Sequence, residues 1–303
     1  RGAIMTTVIA VLFALSFVVL TGFGGQTSLA QMAFAGVAGF ALSKIGTGWG
    51  LPFPLAPLLA CAVATVFGVL VGFPALRVRG TNLAIVTLAG GVAISEFVFK
   101  NPSIVGDAST GGAKIPHPSL GSWDFALVLG TKSSRPVFGI FLVVVVAVAA
   151  LAVANLRSSA SGRRMLAVRS NERAASAVGI DVGRSKLAVF ALSSFLAGAA
   201  GCLIAYRFGS VSDASYGTIA SLTALAVAYL GGITSVSGAV TAGIVASSGV
   251  AFYALGRVMS SVGRWEALVS GVLLIVAAIS NPEGIAGAVR NRAAVRRARE
   301  VAA

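Results

Sequence analysis

The sequence predicts an all-α fold: a polytopic bundle of transmembrane helices, about eight or nine spans, some of them broken or re-entrant. Three observations predict it. Apolar residues make up 57% of the 303 and charged residues only 11%, against about 25% charged in a soluble domain. There is too little polar surface to clothe a core, so lipid must replace water around much of the chain. Apolar runs close to the length of a span, about 20 residues, recur from end to end. The basic residues gather on connections that lie an even number of runs apart, as they do where a chain crosses and recrosses a membrane.

The runs can be taken in order. Ala3–Thr21 is longer than a signal-peptide core of about 7–15 residues, so it reads as a true span, although Ser28-Leu29-Ala30 faintly resembles a cleavage site. The start at Arg1 without a Met reads as a truncated, processed or cut end. Leu29–Ile45 is short and rich in small residues. Leu55–Phe73, Asn82–Phe99, Val137–Leu156, Leu187–Tyr206, Ile219–Leu230, Ala239–Leu255 and Ala267–Ile279 complete the series. Strands of the barrel kind need ten-residue alternation, and the sequence has none. Cys61 and Cys202 lie inside apolar runs and read as buried thiols. His117 stands between two prolines in a loop, and no metal-ligand spacing occurs.

The net charge of +14 does not point to nucleic acid, because no aromatic residues interleave with the basic ones to stack bases. Its placement sets orientation instead. Seven of the 23 basic residues lie in 157–186, and five follow Pro282, four runs later. Arg77 and Arg79 lie two runs upstream. These three placements fall on one side, read as cytoplasmic. Residues 100–136 then form an outer loop, and residues 290–303 a basic tail suited to anionic lipid or to seating a partner.

Two segments carry more than span character. Gly22-Phe23-Gly24-Gly25-Gln26-Thr27-Ser28 places three glycines and three polar or hydroxyl residues between two apolar runs. Such a stretch either unwinds beside a polar cavity or bonds helix to helix. Gln26, Thr27 and Ser28 are therefore candidate path-lining residues, with Thr87 and Glu96 on the third long run. Glu96 is the one acid well inside a run, and intramembrane ionisable groups are functional candidates, although near the outer end it can equally snorkel. The second segment is the basic loop. Around Asn171, the residues Arg169, Glu172, Arg173, Ala174 and Ala175 favour a short helix over Val168–Val178, stopped by Gly179. Small Ala174 and Ala175 would admit close packing of another protein, and Glu172 and the arginines would set register by charge.

This loop resembles the coupling motif of ABC importer permeases: Glu172, then Ala174-Ala175, then Gly179, with one residue inserted after the Glu. Read without that resemblance, it is a positive-inside loop with a helical turn. Four further segments extend the likeness to nearly the whole chain. Thr21–Leu29, Arg77–Leu88, Leu230–Ser235 and Asn281–Gly284 are similar, in the same order, to segments of the permeases of high-affinity branched-chain amino acid importers. The order best fits the longer of the two permeases that pair in that family. Val92 stands where the family usually carries Glu, with Glu96 one helical turn on. Asn82 replaces a Tyr, Ala30 a Gly and Gln31 a common His.

The resemblance implies a permease domain over 1–289 with its coupling loop at 157–186, a second permease either separate or fused, two ATPase subunits, an external solute-binding protein meeting the outer loop, and a bacterial inner-membrane location. The chain has no phosphate-cradling Gly-rich loop with Lys-Ser/Thr, so ATP and Mg would bind partner subunits and no cofactor this chain. The cargo would be a branched-chain amino acid or a related amide or organic acid. Three other classes compete: a secondary transporter coupled to an ion gradient, for which Glu96 is the available carboxylate; a channel, which would repeat a pore motif; and an intramembrane enzyme, which needs a convergent catalytic set.

Overall fold

A segment in lipid can satisfy its backbone only within itself or against protein, and the apolar runs accordingly become helices. A computed structural model describes residues 2–76, 78, 82–101, 113–120, 123–124, 128–129, 132–133, 136–246, 249–251, 253–254 and 287. Helix α1 (Gly2–Phe17) continues through a π-helical turn, Val18–Phe23. Helix α2 (Gln31–Ser43) ends in a second π turn, Lys44–Gly48. Then come α3 (Leu55–Ala75), α4 (Asn82–Ile94) with a π turn at Ser95–Phe99, and α5 (Pro136–Ser158). Two short helices, α6 (Ala160–Ser170) and α7 (Glu172–Ala177), lead into α8 (Val182–Phe208), α9 (Thr218–Gly231) and α10 (Val236–Val245).

Among the described residues five helices are long and apolar enough to span: Gly2–Phe23, Leu55–Pro74, Asn82–Phe99, Val137–Ser158 and Val182–Phe208. The chain is a multi-pass membrane protein. Two expectations change. The run expected at Ala239–Leu255 is not one helix, because α10 stops at Val245 and Ala246 turns to ψ 148°. The connection after α4 holds five two-residue strands that the sequence pattern does not announce, four paired among themselves and one paired with Ser210–Val211. The expected run Ala267–Ile279 and the basic tail lie outside the described residues.

The short α2 is the centre of the bundle. It is buried on nearly every face, with Phe34, Phe40 and Leu42 fully enclosed, and α3, α8, α4 and α9 pack around it. Close approach needs small residues: a Cβ on Gly201 of α8 would run into the Ala35 carbonyl, and Gly198 lies between Ala38 and Ala64. Outward faces are apolar, as lipid requires: Leu58, Val66 and Leu70 on α3, and Ile140, Val144 and Leu151 on α5, are all exposed.

The two ends of the bundle differ. At one end, Ala113–Lys114 pairs antiparallel with Ser210–Val211 beyond α8, and Ser43 of α2 donates to the Lys114 carbonyl (2.6 Å). The loop expected outside is thus tied to the ends of α2 and α8. At the other, basic end lies the α6–α7 connection. Ser159 caps α6 through the Gly162 N–H, and Gly162, Met165 and Val168, three residues apart, turn inward and seat α6 on the bundle.

Candidate coupling junction

The composition of the basic loop predicts one helix over Val168–Val178. The loop holds two, because Asn171 takes an extended conformation (φ −159°, ψ 108°) and its side chain accepts from the N–H groups of Arg173 and Ala174 at 3.0 and 3.1 Å. An Asn at that position begins a helix and so ends the one before it. Gly179 closes α7 as expected. Its φ of +82° lies in the left-handed region, and the chain turns there with Ile180 N–H on the Ala175 carbonyl (3.0 Å). The paired alanines face opposite ways: Ala175 is buried against the protein and Ala174 is exposed. Ala177 and Val178 are exposed beside Ala174, Val178 at 75%, and Arg173 next to them is exposed as well.

Glu172 turns inward. Its Oε1 lies 2.6 Å from Lys186 Nζ in the second turn of α8, where the lysine side chain is 8% exposed and the glutamate 31%. Burial of that cation is tolerable only with a partner, so Glu172 fastens α7 to α8 rather than presenting its charge outward. Sequence reasoning missed Lys186 as a partner. Its signal is a cation one residue before a long apolar run.

The Gly-rich segment does unwind. Helical bonding ends with Gln26 N–H reaching back to Leu20 O (3.1 Å) and resumes with Phe34 N–H on Ala30 O. Side chains stitch the gap. Thr21 Oγ1 donates to the Gln26 carbonyl (3.0 Å), Ser28 Oγ accepts from Ala30 N–H, and Thr87 Oγ1 of α4 accepts from Leu29 N–H (3.1 Å). Just past the break, Gln31 Nε2 donates to Ser193 Oγ (2.8 Å), which donates to the Ser16 carbonyl (2.9 Å). Ser221 Oγ of α9 accepts from Met32 N–H. Ser193 lies roughly 16 Å along α8 from its start at 1.5 Å per residue, so irregular backbone runs at membrane depth, covered by protein as lipid demands. Ser16, Gln31, Ser193 and Ser221 escape sequence reasoning because an isolated polar residue in an apolar run does not disclose its partner.

Segments far apart in sequence meet at this break. A Cβ on Gly22 would strike the Ile233 carbonyl in the turn between α9 and α10, and one on Gly24 would strike Val189 of α8. Gly25, at φ +65°, carries the stem of Arg169, whose Cγ would lie 2.8 Å from an added Cβ. The Arg169 guanidinium donates through Nη1 to the Gly22 carbonyl. The structure thus joins the Gly-rich segment, the basic loop, the Thr87 helix and the Gly231–Ile233 turn.

Not all the candidates gather there. Glu96 lies at the far end, half-exposed, with its Oε1 2.6 Å from Lys100 Nζ. That hydrogen bond and charge hold the lysine ammonium above its ordinary value. Gln26 and Ser28 are buried and Thr27 partly so. Two cavities lie elsewhere. One of about 550 Å³ is almost wholly apolar, between α1, α3, α5 and α8. One of about 670 Å³ runs along α1, α8, α9 and α10, with Thr6, Thr223 and Arg207 on its wall. Gln26, Thr27, Ser28, Thr87 and Glu96 line neither. Among the described residues no group of three His, Cys, Asp or Glu could hold a metal.

Residues 2–278 match the family described as the branched-chain amino acid transport system permease component. The chain belongs to this family. The permease is 31% identical over 299 residues to the high-affinity branched-chain amino acid transport system permease protein LivM of Escherichia coli, covering 92% of this chain and 68% of that one. It is 26% identical over 293 residues to LivH of the same organism, with 91% and 90% covered. A match of similar length fills more of LivH than of LivM, so the higher identity is to the longer relative, in keeping with the order of the motifs. The xylose transport system permease protein XylH of Escherichia coli is 35% identical over 125 residues, 39% of the permease and 31% of that relative. No solved structure matches the chain.

Proposed function

We propose that the permease is the membrane-spanning subunit of an ATP-driven importer for a small polar solute, docked through α7 to an ATPase subunit on the cytoplasmic side of a bacterial inner membrane. The observation that carries this reading is the shape of the basic end. Helix α7 is short, capped at its start by Asn171 and clamped from behind by Glu172–Lys186 and buried Ala175. Its outer face offers small and apolar residues, Ala174, Ala177 and Val178, with Arg173 at their edge. An exposed apolar tip on a basic surface suits a groove in a partner protein.

A second permease, a second ATPase subunit and an external solute-binding protein complete the assembly on this reading. ATP and Mg bind the ATPase subunits. A branched-chain amino acid is the favoured cargo, since the extended matches are to permeases named for that transport; the departures at Asn82 and Val92 leave a related amide or organic acid as a variant of it.

The test uses Ala174→Arg, which alters the outer face while leaving the cap and the ion pair intact. The tagged wild type is expected to bring down an ATPase subunit from mild detergent, and Ala174→Arg to lose it while remaining folded in the membrane. A wild type that carries no ATPase, with uptake surviving ATP depletion, would sink the importer reading in favour of an ion-coupled carrier.

A further inference from the structure

We infer that Arg169 is the link through which movement of the α6–α7 loop reaches the helix break at Gly22–Ala30; it is a positioning residue for transport that rests on the importer reading above. Three observations carry this. The first is connectivity. Arg169 lies in the last turn of α6, two residues before the extended Asn171 that separates α6 from α7. A load on α7 therefore arrives at the end of α6 with one pivot between.

The second is what Arg169 holds. The residue is exposed at the basic end, yet its guanidinium reaches inward to the carbonyl of buried Gly22. That carbonyl belongs to the last turn of the α1 helix, where acceptors lack helical donors and the helix dipole is negative. A cation there completes the helix end. The stem of the same side chain lies on Gly25, which has no side chain to hold it off and whose φ of +65° suits glycine. One arginine thus grips both edges of the first turn of the break.

The third is what lies beyond. The break has two local side-chain bonds, at Thr21 and Ser28, and its other bonds lead to further helices of the bundle: Thr87 of α4 and, just past it, Ser193 of α8 and Ser221 of α9. A shift of Gly22–Gly25 passes to the start of the enclosed α2 and, through the contact of Gly22 with the Ile233 carbonyl, to the α9–α10 turn. A lysine could supply charge to the helix end, but only as a single point, without the planar fork that keeps its direction while the stem rests on Gly25.

The experiment reconstitutes the complete transporter in vesicles, with leucine as the probe solute, and measures uptake and ATP hydrolysis together. Arg169→Ala is expected to keep its ATPase within twofold of wild type on co-purification, and to lose at least tenfold in solute moved per ATP hydrolysed. Arg169→Lys should fall between. Gly25→Ala, which displaces the arginine stem without altering the arginine, should lower the same ratio. A reporter thiol, Thr27→Cys, should change its maleimide labelling rate with ATP when Arg169 is present and not in Arg169→Ala. A purely structural role predicts that uptake and hydrolysis fall in parallel with an unchanged ratio, and that result overturns the inference while leaving the importer reading intact. Full coupling in Arg169→Ala overturns it too. A wild type that brings down no ATPase overturns both.

Discussion

Ser193 is a hydroxyl with two obligations. It accepts from Gln31 and donates to Ser16, all in the interior of the bundle. Ser193→Ala removes the acceptor of the buried Gln31 amide N–H and a donor to the Ser16 carbonyl. The cost of such a loss is about 1–3 kcal/mol in general, nearer the lower end in membranes, where measured polar pairs average about 0.6 kcal/mol and reach about 1.7. Thermal unfolding in detergent should show it. Gln31→Leu with Ser193→Ala should cost less than the two single changes summed, since the pair forms one network. At this scale the sequence is half legible. The cluster Gln26–Ser28 and Thr87 stands out because its polar residues are adjacent or sit in a recognisable segment, and the break they mark is real. Glu96 also stands out, as the acid inside a run, but its partner Lys100 one turn on draws it to the surface. Gln31 and Ser193 are separated by 162 positions, and nothing local to either residue predicts the other.

The elements are legible where composition dictates them and less so where one side chain decides. Long apolar runs become long helices because the backbone has no alternative in lipid. The basic loop is governed instead by Asn171, whose cap splits a stretch of strong helix formers in two. Asn171→Ala should allow α6 to run on, at a cost of about 1 kcal/mol for the lost cap, and should weaken ATPase co-purification. Asn171→Gly should retain much of it, since glycine is tolerated at such caps. The clamp behind α7 makes a separate claim. Lys186→Met strands a partly exposed glutamate, and the loss should be roughly 2 kcal/mol, below the figure for a fully buried pair because Glu172 is 31% exposed. The charge swap Glu172→Lys with Lys186→Glu should recover part of the melting temperature, which a mere packing role for Lys186 would not allow.

For the whole molecule, the distribution of charge bears on the choice between mechanisms. An ion-coupled carrier needs carboxylates or unwound carbonyls near the middle of the membrane, and the carboxylate candidate, Glu96, is half-exposed at the far end and paired with Lys100. Glu96→Gln should leave uptake within about twofold of wild type, since exposed pairs contribute at most about 1 kcal/mol; loss of uptake would return the ion-coupled carrier to favour. The bundle and its multi-pass character are readable from hydropathy alone. That α2 is its axis is not, because a short helix rich in Gly and Ala looks like the weakest span until its neighbours are in place. Its enclosure has a consequence for biosynthesis. The hydroxyl that accepts from the Gln31 amide N–H is made 162 residues later, roughly 10–30 s at synthesis rates of about 5–20 residues per second. Throughout that interval the nascent α2 carries an amide N–H whose acceptor has not yet been made. The permease therefore cannot mature hairpin by hairpin from its beginning: its middle closes only after most of the chain has emerged from the ribosome.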